Sequence, residues 1–179
     1  MKKFLEAGAY LYPQEAGPFT QAEWAELQDC VSLERKEAYD AYRMKDPDLH
    51  VKLKVYRLKE KGVDQYKDDR VRLLFFQKLL PFLKKETALK KPFIDRVQSH
   101  FYEVGDGKDL HSDIKLHPFY RYAVLLFMNE GDSYKGGEFN VHHPKLGVCG
   151  FKGPQYSLLI TPSCYPHEVI PVRSGYRHT

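Results

Sequence analysis

Apolar residues change their spacing near residue 92. Upstream, "TQAEWAELQDCVSLERKEAYDAYRMKD" carries Trp24, Leu27, Val31 and Leu33 near helical intervals, with Thr20 placed to cap the first turn. "DDRVRLLFFQKLLPFLKKETALKK" predicts a second helical region, kinked or divided at Pro81, whose ring lacks an amide proton. Between them "HVKLKVYRL" alternates Val51, Leu53 and Val55 with more polar residues, the period of a strand. Downstream the runs shorten to "FIDRVQSHFYEV", "RYAVLLFMN", "GEFNVHH", "YSLLITP" and "HEVIPV", separated by "GDGKD", "EGDSYKGG", "FKGP" and "RSG". Short strands between turn signals predict a sandwich or barrel. The expected fold class is α+β and β-rich: a single domain over 1–179, with a mainly helical support region over 1–92 and a β-rich core over 93–179.

Composition narrows this picture without redirecting it. At 179 residues the chain can bury one substantial core, and 42% hydrophobic with 29% charged residues places it among globular proteins. The net charge of +4 gathers in "HVKLKVYRLKEKG", "LKKETALKKP" and "KDDRVR", but acidic residues alternate with the basic ones there. That mixture describes a solvated helix surface better than a nucleic-acid interface, so no nucleic-acid partner is expected. Cys30, Cys149 and Cys164 are too few and too far apart for a disulfide framework or a thiolate zinc site. Glu6 and Pro13 interrupt the start where a signal peptide needs an apolar stretch, and no run reaches the ~18 apolar residues of a membrane span. The expectation is a cytoplasmic protein with reduced thiols and no membrane partner.

Candidate chemistry begins at "DLHSDIKLHPFYRYAVLLFMN". His111 and Asp113 are two residues apart, so on a strand they share a face and converge on one point. His167, on another predicted strand, supplies a third ligand, and two His with one carboxylate form a facial triad that leaves metal positions open. The other histidines fit less well: His117 lies in a loop beside Pro118, adjacent His142 and His143 face opposite ways, and His50 and His100 fall outside the pattern. Arg177 follows His167 by ten residues, with "RSG" as a turn between them. A hairpin there would bring Arg177 opposite Ile170 or Pro171, ~10–13 Å from His167 at ~3.3 Å per residue. A five-carbon dicarboxylate bound to metal at one end could meet the guanidinium at the other, in the bidentate geometry that Arg favours. The metal itself stays open at this point, because the same ligands accept zinc.

"YEVGDGKDLHSD", "YKGGEF" and "PHEVIPVRSGYR", in that order, resemble the signature of iron(II)/2-oxoglutarate dioxygenases, in particular the prolyl 4-hydroxylase-like branch. The resemblance covers roughly residues 93–177 and leaves 1–92 without a counterpart. It implies a double-stranded β-helix (jelly-roll, cupin-like) core behind a helical N-terminal layer. It also implies Fe(II) on His111, Asp113 and His167, the distal carboxylate of 2-oxoglutarate on Arg177, and Tyr102 near that co-substrate. O2 would be consumed, and ascorbate is a candidate reductant. Three features depart from or qualify the pattern. Leu125 and Phe127 offer no polar group on the strand where relatives often place one for the co-substrate. The chain stops two residues after Arg177, as a short final strand or as a fragment lacking its last strand. "GGEF" also resembles a diguanylate cyclase string, but one acidic residue before Phe139 suits a strand-entry turn at Gly136-Gly137 with Phe139 in the core.

The implied activity is hydroxylation of an unactivated C–H bond with release of succinate and CO2. Asp113 favours this over halogenation, since the related halogenases carry Gly or Ala at the carboxylate position. The leading substrate is a prolyl or other residue in a peptide or protein. A free amino acid or small metabolite is the alternative, and a non-catalytic metal-binding barrel is a further one. An alkylated-base demethylase would need a second Arg six residues after the first, beyond this chain, and "GGEF" points away from it. Tyr120, Tyr122, Phe139 and Tyr165 are candidates for a pocket wall, with core packing the commoner role for such residues.

Overall fold

The structure is a computed structural model, and it describes residues 8–31, 52–57 and 70–179. Leu33, His50 and Val51 of the sequence pattern lie outside the described residues. The chain divides into two compact units, Met1–Ala16 with Tyr102–Thr179, and Gly17–Phe101.

In the Gly17–Phe101 unit, helix α1 spans 21–31. Its start is a reciprocal capping box: the Glu23 amide donates to Thr20 Oγ1 at 3.3 Å, and the Thr20 amide donates to the Glu23 carboxylate at 2.8 Å. Phe19, just before the cap, meets Trp24 edge-on at 5.1 Å, the apolar staple that fixes the chain's entry angle. Trp24 and Leu27 are buried, as their spacing predicts. The second helical region runs as α2 (Arg70–Leu74) and α3 (Leu80–Thr87), joined by a π-helical turn over Phe75–Leu79. There the Leu80 amide donates to the Phe75 carbonyl, five residues back. Widening the helix just ahead of Pro81 makes room for a ring that cannot donate, so the proline neither breaks nor ends it. Glu23–Lys78 and Glu26–Arg70 ion pairs tie α1 to this region. Strand β2 (Lys52–Arg57) pairs antiparallel with β3 (Arg96–Tyr102), with a register shift between Lys52 and Val55.

The other unit is built from two antiparallel sheets. One orders β1 (Tyr10–Tyr12), β8 (Leu158–Pro162) and β5 (Tyr122–Leu126); the other orders β4 (Lys108–His111), β9 (His167–Val169), β6 (Phe139–His143) and β7 (Gly147–Phe151). Both sheets feed one core: Leu159 comes from the first, Phe139, Val141 and Val169 from the second, closed by Ala9, Tyr102, Phe127 and Val172. Each Leu, Val and Phe among them contributes roughly 1.5–3 kcal/mol by leaving water. Burial alternates along β6, where Phe139, Val141 and His143 are buried and Asn140 and His142 half-buried. Among the described residues three sheets and few helices make a mixed, β-rich structure, as the pattern predicts. Among the described residues no helix is long and apolar enough to cross a membrane.

Two local expectations fail. Asp113 is not on a strand: β4 ends at His111, and Asp113 opens a four-residue helix, α4 (Asp113–Leu116). Ser112 between them is extended (φ −133°, ψ 125°), and this single extended residue still brings the two side chains together. The hairpin proposed between His167 and Arg177 does not form either. Segment 170–174 binds elsewhere: Val172 exchanges hydrogen bonds with Gly105 and Asp106, and Arg173 and Ser174 donate to Lys135. Strand β10 (Arg177–His178) accordingly lies outside the sheet that holds β9.

Candidate metal centre

His111 and His167 face each other across the β4–β9 pairing, in register. Their rings stand 4.5 Å apart, centroid to centroid. Each imidazole is anchored by its own chain: His111 Nδ1 lies 2.6 Å from the Asp109 carbonyl, and His167 Nδ1 lies 3.0 Å from the Tyr165 carbonyl. A carbonyl only accepts, so each Nδ1 carries the proton and each Nε2 presents a lone pair. Both lone pairs aim at one carboxylate. His111 Nε2 is 3.8 Å from Asp113 Oδ1, and His167 Nε2 is 3.7 Å from Asp113 Oδ2. These gaps are too long for hydrogen bonds, yet one ligand atom from each of the three residues lies within 4.8 Å of the others. Such spacing fits a divalent ion among two imidazoles and a carboxylate, with further positions left open. Carbonyl anchoring of ligand imidazoles is how metal sites fix tautomer and ring orientation.

The surroundings hold this geometry. Ser112 is buried, its hydroxyl donating to the Ser163 carbonyl at 3.3 Å, which the Ile114 amide also approaches at 3.4 Å. That carbonyl at the end of β8 thereby fixes the turn carrying Asp113. Phe139 packs 5.2 Å from the His167 ring. Burial pushes the His167 pKa below its ordinary value, against the Tyr165 carbonyl and the Asp113 carboxylate, and so favours the neutral ring a metal needs. His167 is buried, whereas His111 and Asp113 keep 30% and 24% of their side chains exposed, so the cluster opens to solvent on their side.

Arg177 is the other notable group, and it is buried to 1% exposure. Its Nη1 donates to Thr179 Oγ1 at 3.2 Å, and the guanidinium also hydrogen-bonds Tyr134. Its guanidinium lies 5.5 Å from the Tyr102 ring, and burial lowers its pKa. The same burial raises the Tyr102 phenol, with Arg177 pulling the other way. A buried guanidinium without a carboxylate partner among the described residues is costly. A clamp at the end of β5 holds Arg177 in place: Met128 donates to the His178 carbonyl, and Asn129 accepts from the His178 amide while donating to the Tyr176 carbonyl and to Ser133.

The remaining sequence candidates have other work. His143 Nδ1 accepts the Lys145 and Leu146 amides, His142 pairs with Glu168 at 3.0 Å, and His117 stacks on Tyr120. Phe139 and Tyr165 pack in or against the core. Gly136 and Gly137 have φ +72° and +69°, and a Cβ on Gly136 would come within 2.2 Å of the Pro171 carbonyl oxygen, so the turn demands glycine. Sequence reasoning overlooked Tyr134, which is buried beside Arg177; burial raises its phenol pKa while the guanidinium pulls it down.

No protein-family model and no characterised protein sequence matches the chain. Solved structures do. An oxidoreductase of the 2OG-Fe(II) oxygenase family from Burkholderia pseudomallei superposes with a TM-score of 0.64 at 21% identity, over 99% of this chain and 84% of that one. A Pseudomonas putida prolyl-4-hydroxylase follows at 0.56 and 20% identity, over 99% and 91%. A prolyl hydroxylase from Trichoplax adhaerens, in complex with a hypoxia inducible factor oxygen degradation domain peptide fragment, gives 0.54 and 15% identity, over 99% and 83%. The chain therefore has the fold of the 2OG-Fe(II) oxygenases and prolyl hydroxylases.

Proposed function

We propose that the chain is an Fe(II)- and 2-oxoglutarate-dependent dioxygenase of the prolyl 4-hydroxylase-like branch, with a double-stranded β-helix core over 93–179 supported by 1–92. Its reaction hydroxylates a C–H bond of a prolyl or other residue in a peptide or protein, converting O2 and 2-oxoglutarate to the alcohol, succinate and CO2. The observation that carries the reading is the convergence of His111, Asp113 and His167, both Nε2 lone pairs turned to one carboxylate. Bound there, Fe(II) would supply the oxygen-activating redox chemistry. The chain's own part is to orient. Asp109 and Tyr165 fix the two imidazoles, Ser163 fixes the turn of Asp113, and Arg177 with neighbouring Tyr102 receives the distal carboxylate of 2-oxoglutarate. Solvent reaches the cluster beside His111 and Asp113, the side from which a peptide can approach. The peptide-bound Trichoplax structure supports that substrate class. Ascorbate would keep the iron reduced, and three free cysteines accord with the cytoplasm.

The test is turnover under 18O2 with Fe(II), 2-oxoglutarate and ascorbate, supplied with a library of proline-containing peptides. The reading expects succinate formation and a labelled gain of one oxygen on a peptide residue. Labelled free amino acid with untouched peptides would move the substrate to the small-molecule class. No succinate from folded, iron-loaded protein would overturn the dioxygenase reading.

A further inference from the structure

Strand β7 forms one edge of the four-stranded sheet. Strand β6 pairs with it residue for residue, from Phe139 opposite Phe151 to His143 opposite Gly147, and no bulge turns it away. Among the described residues no other segment sends it a backbone hydrogen bond. The ladder shows which groups face outward. The His142 amide donates to the Pro166 carbonyl and the Ile170 amide to the Glu138 carbonyl, so Glu138 and His142 bond toward β9. Backbone direction alternates along a strand, so Phe139, Val141 and His143 bond toward β7. Their partners Phe151, Cys149 and Gly147 are thereby used, and Val148 and Gly150 point their amides and carbonyls to the open side.

Sheet edges are ordinarily guarded by charge, proline, a bulge or shortness. The opposite edge, β4, carries Lys108 and Asp109. Strand β7 carries no charge, and its Val148 is 58% exposed. The nearest cation at its end, Lys152, is turned away, its ammonium donating to the Tyr134 carbonyl at 2.6 Å. The strand is complementary to itself. A two-fold axis through Cys149 sets Val148 of each copy opposite Gly150 of the other, and these two pairs exchange four backbone hydrogen bonds. Val148 then faces a residue without a side chain. Charges also match: Lys145 comes opposite Gly153 of the other copy, ~10 Å between Cα atoms from Glu138, at two strand spacings of ~4.8 Å. Glu138 leans over β7, its Cβ lying 3.9 Å from where a Cβ on Gly150 would stand. We propose that two copies of the chain associate through β7, antiparallel about Cys149, joining two four-stranded sheets into one of eight.

The test is sedimentation equilibrium of the full chain at concentrations up to about 1 mM, with no catalytic readout needed. A monomer–dimer equilibrium is expected. Val148→Lys places a guarding charge at an exposed position and should raise the dissociation constant at least about tenfold. A monomer throughout would give the edge to another partner and overturn the proposal, as would a dimer indifferent to Val148→Lys. The register is read separately. Facing Cys149 residues form a pair without hydrogen bonds, Cα atoms ~4.5 Å apart, within disulfide reach. All three cysteines are free, so Cys30→Ser with Cys164→Ser isolates this one. Diamide should then link the dimer through Cys149, and Val148→Lys should slow the linkage about tenfold. A dimer that forms without linking overturns the pairing.

Discussion

The two ends of the site are built by opposite means. At the proposed metal end, three candidate ligands come from two strands and a short helix, two of them partly exposed, and each imidazole is tied to a carbonyl two residues away. At the proposed carboxylate end, Arg177 and Tyr134 are sealed from solvent beside each other, and the guanidinium has no carboxylate partner among the described residues. The proposed metal end is thus prepared by tying down the far nitrogen of each imidazole and leaving Nε2 toward the Asp113 carboxylate. The proposed carboxylate end instead buries a charge without a carboxylate opposite it, a cost that a bound anion would relieve. Stability and function should therefore separate at the two ends in different ways.

The largest effect is expected at the metal end. Asp113→Ala removes the one carboxylate between two Nε2 atoms and should abolish the iron-dependent band and lower succinate formation more than about a hundredfold. Its thermal midpoint should stay close to wild type, since the side chain is partly exposed; a collapsed midpoint would make Asp113 a structural residue instead. Arg177→Met comes next, and here the ends diverge. It should weaken 2-oxoglutarate about a hundredfold while the ligand-free protein melts no lower than wild type, because a buried charge without a carboxylate partner among the described residues has been removed. Wild type, but not this variant, should gain thermal stability from the dicarboxylate, as linkage requires.

Asn129→Leu cuts the clamp that holds Tyr176 and His178 around Arg177. We expect a loss of about 1–2 kcal/mol in denaturant unfolding and a several-fold weaker 2-oxoglutarate band. Unchanged co-substrate binding would show that Arg177 is fixed by its own packing. The smallest effect is remote from the site: Thr20→Ala should cost about 1 kcal/mol through the α1 cap. The other half of the box titrates: the Thr20 amide holds the Glu23 pKa below its ordinary 4.5, so the contribution of that carboxylate is present above 4.5 and lost as pH falls through the depressed value. The stability gap between wild type and Glu23→Ala should therefore narrow in acid, and a gap that widens would contradict the capping box.

The same contrast decides what could be read from the chain. His111, Asp113 and His167 were legible because a ligand pair two residues apart converges wherever the backbone is extended, and Ser112 alone had to be so. The helix that Asp113 opens does not disturb this. Strands β6 and β8 were legible from apolar periodicity, whereas β7 was not: Gly147 and Gly150 interrupt its pattern, and β6 recruits it by backbone pairing. Strand β1 is three residues long and gains its identity from Leu158–Ile160 opposite. At the carboxylate end the residue type of Arg177 was readable but its route was not, because Val172, Arg173 and Ser174 find partners in 104–106 and 135 rather than in β9. Tyr134 left a weak signal, an aromatic in an otherwise polar turn, and only the fold brings it to Arg177.

The central claim is that a metal chelator with a distal carboxylate spans these two ends. Anaerobic titration of Fe(II)-loaded wild type with 2-oxoglutarate, run beside Arg177→Met, tests it most directly. The account predicts a visible chelate band that saturates in wild type and needs about a hundredfold more ligand in the variant. A folded, iron-loaded protein that gives no band, or a band indifferent to Arg177, would contradict it.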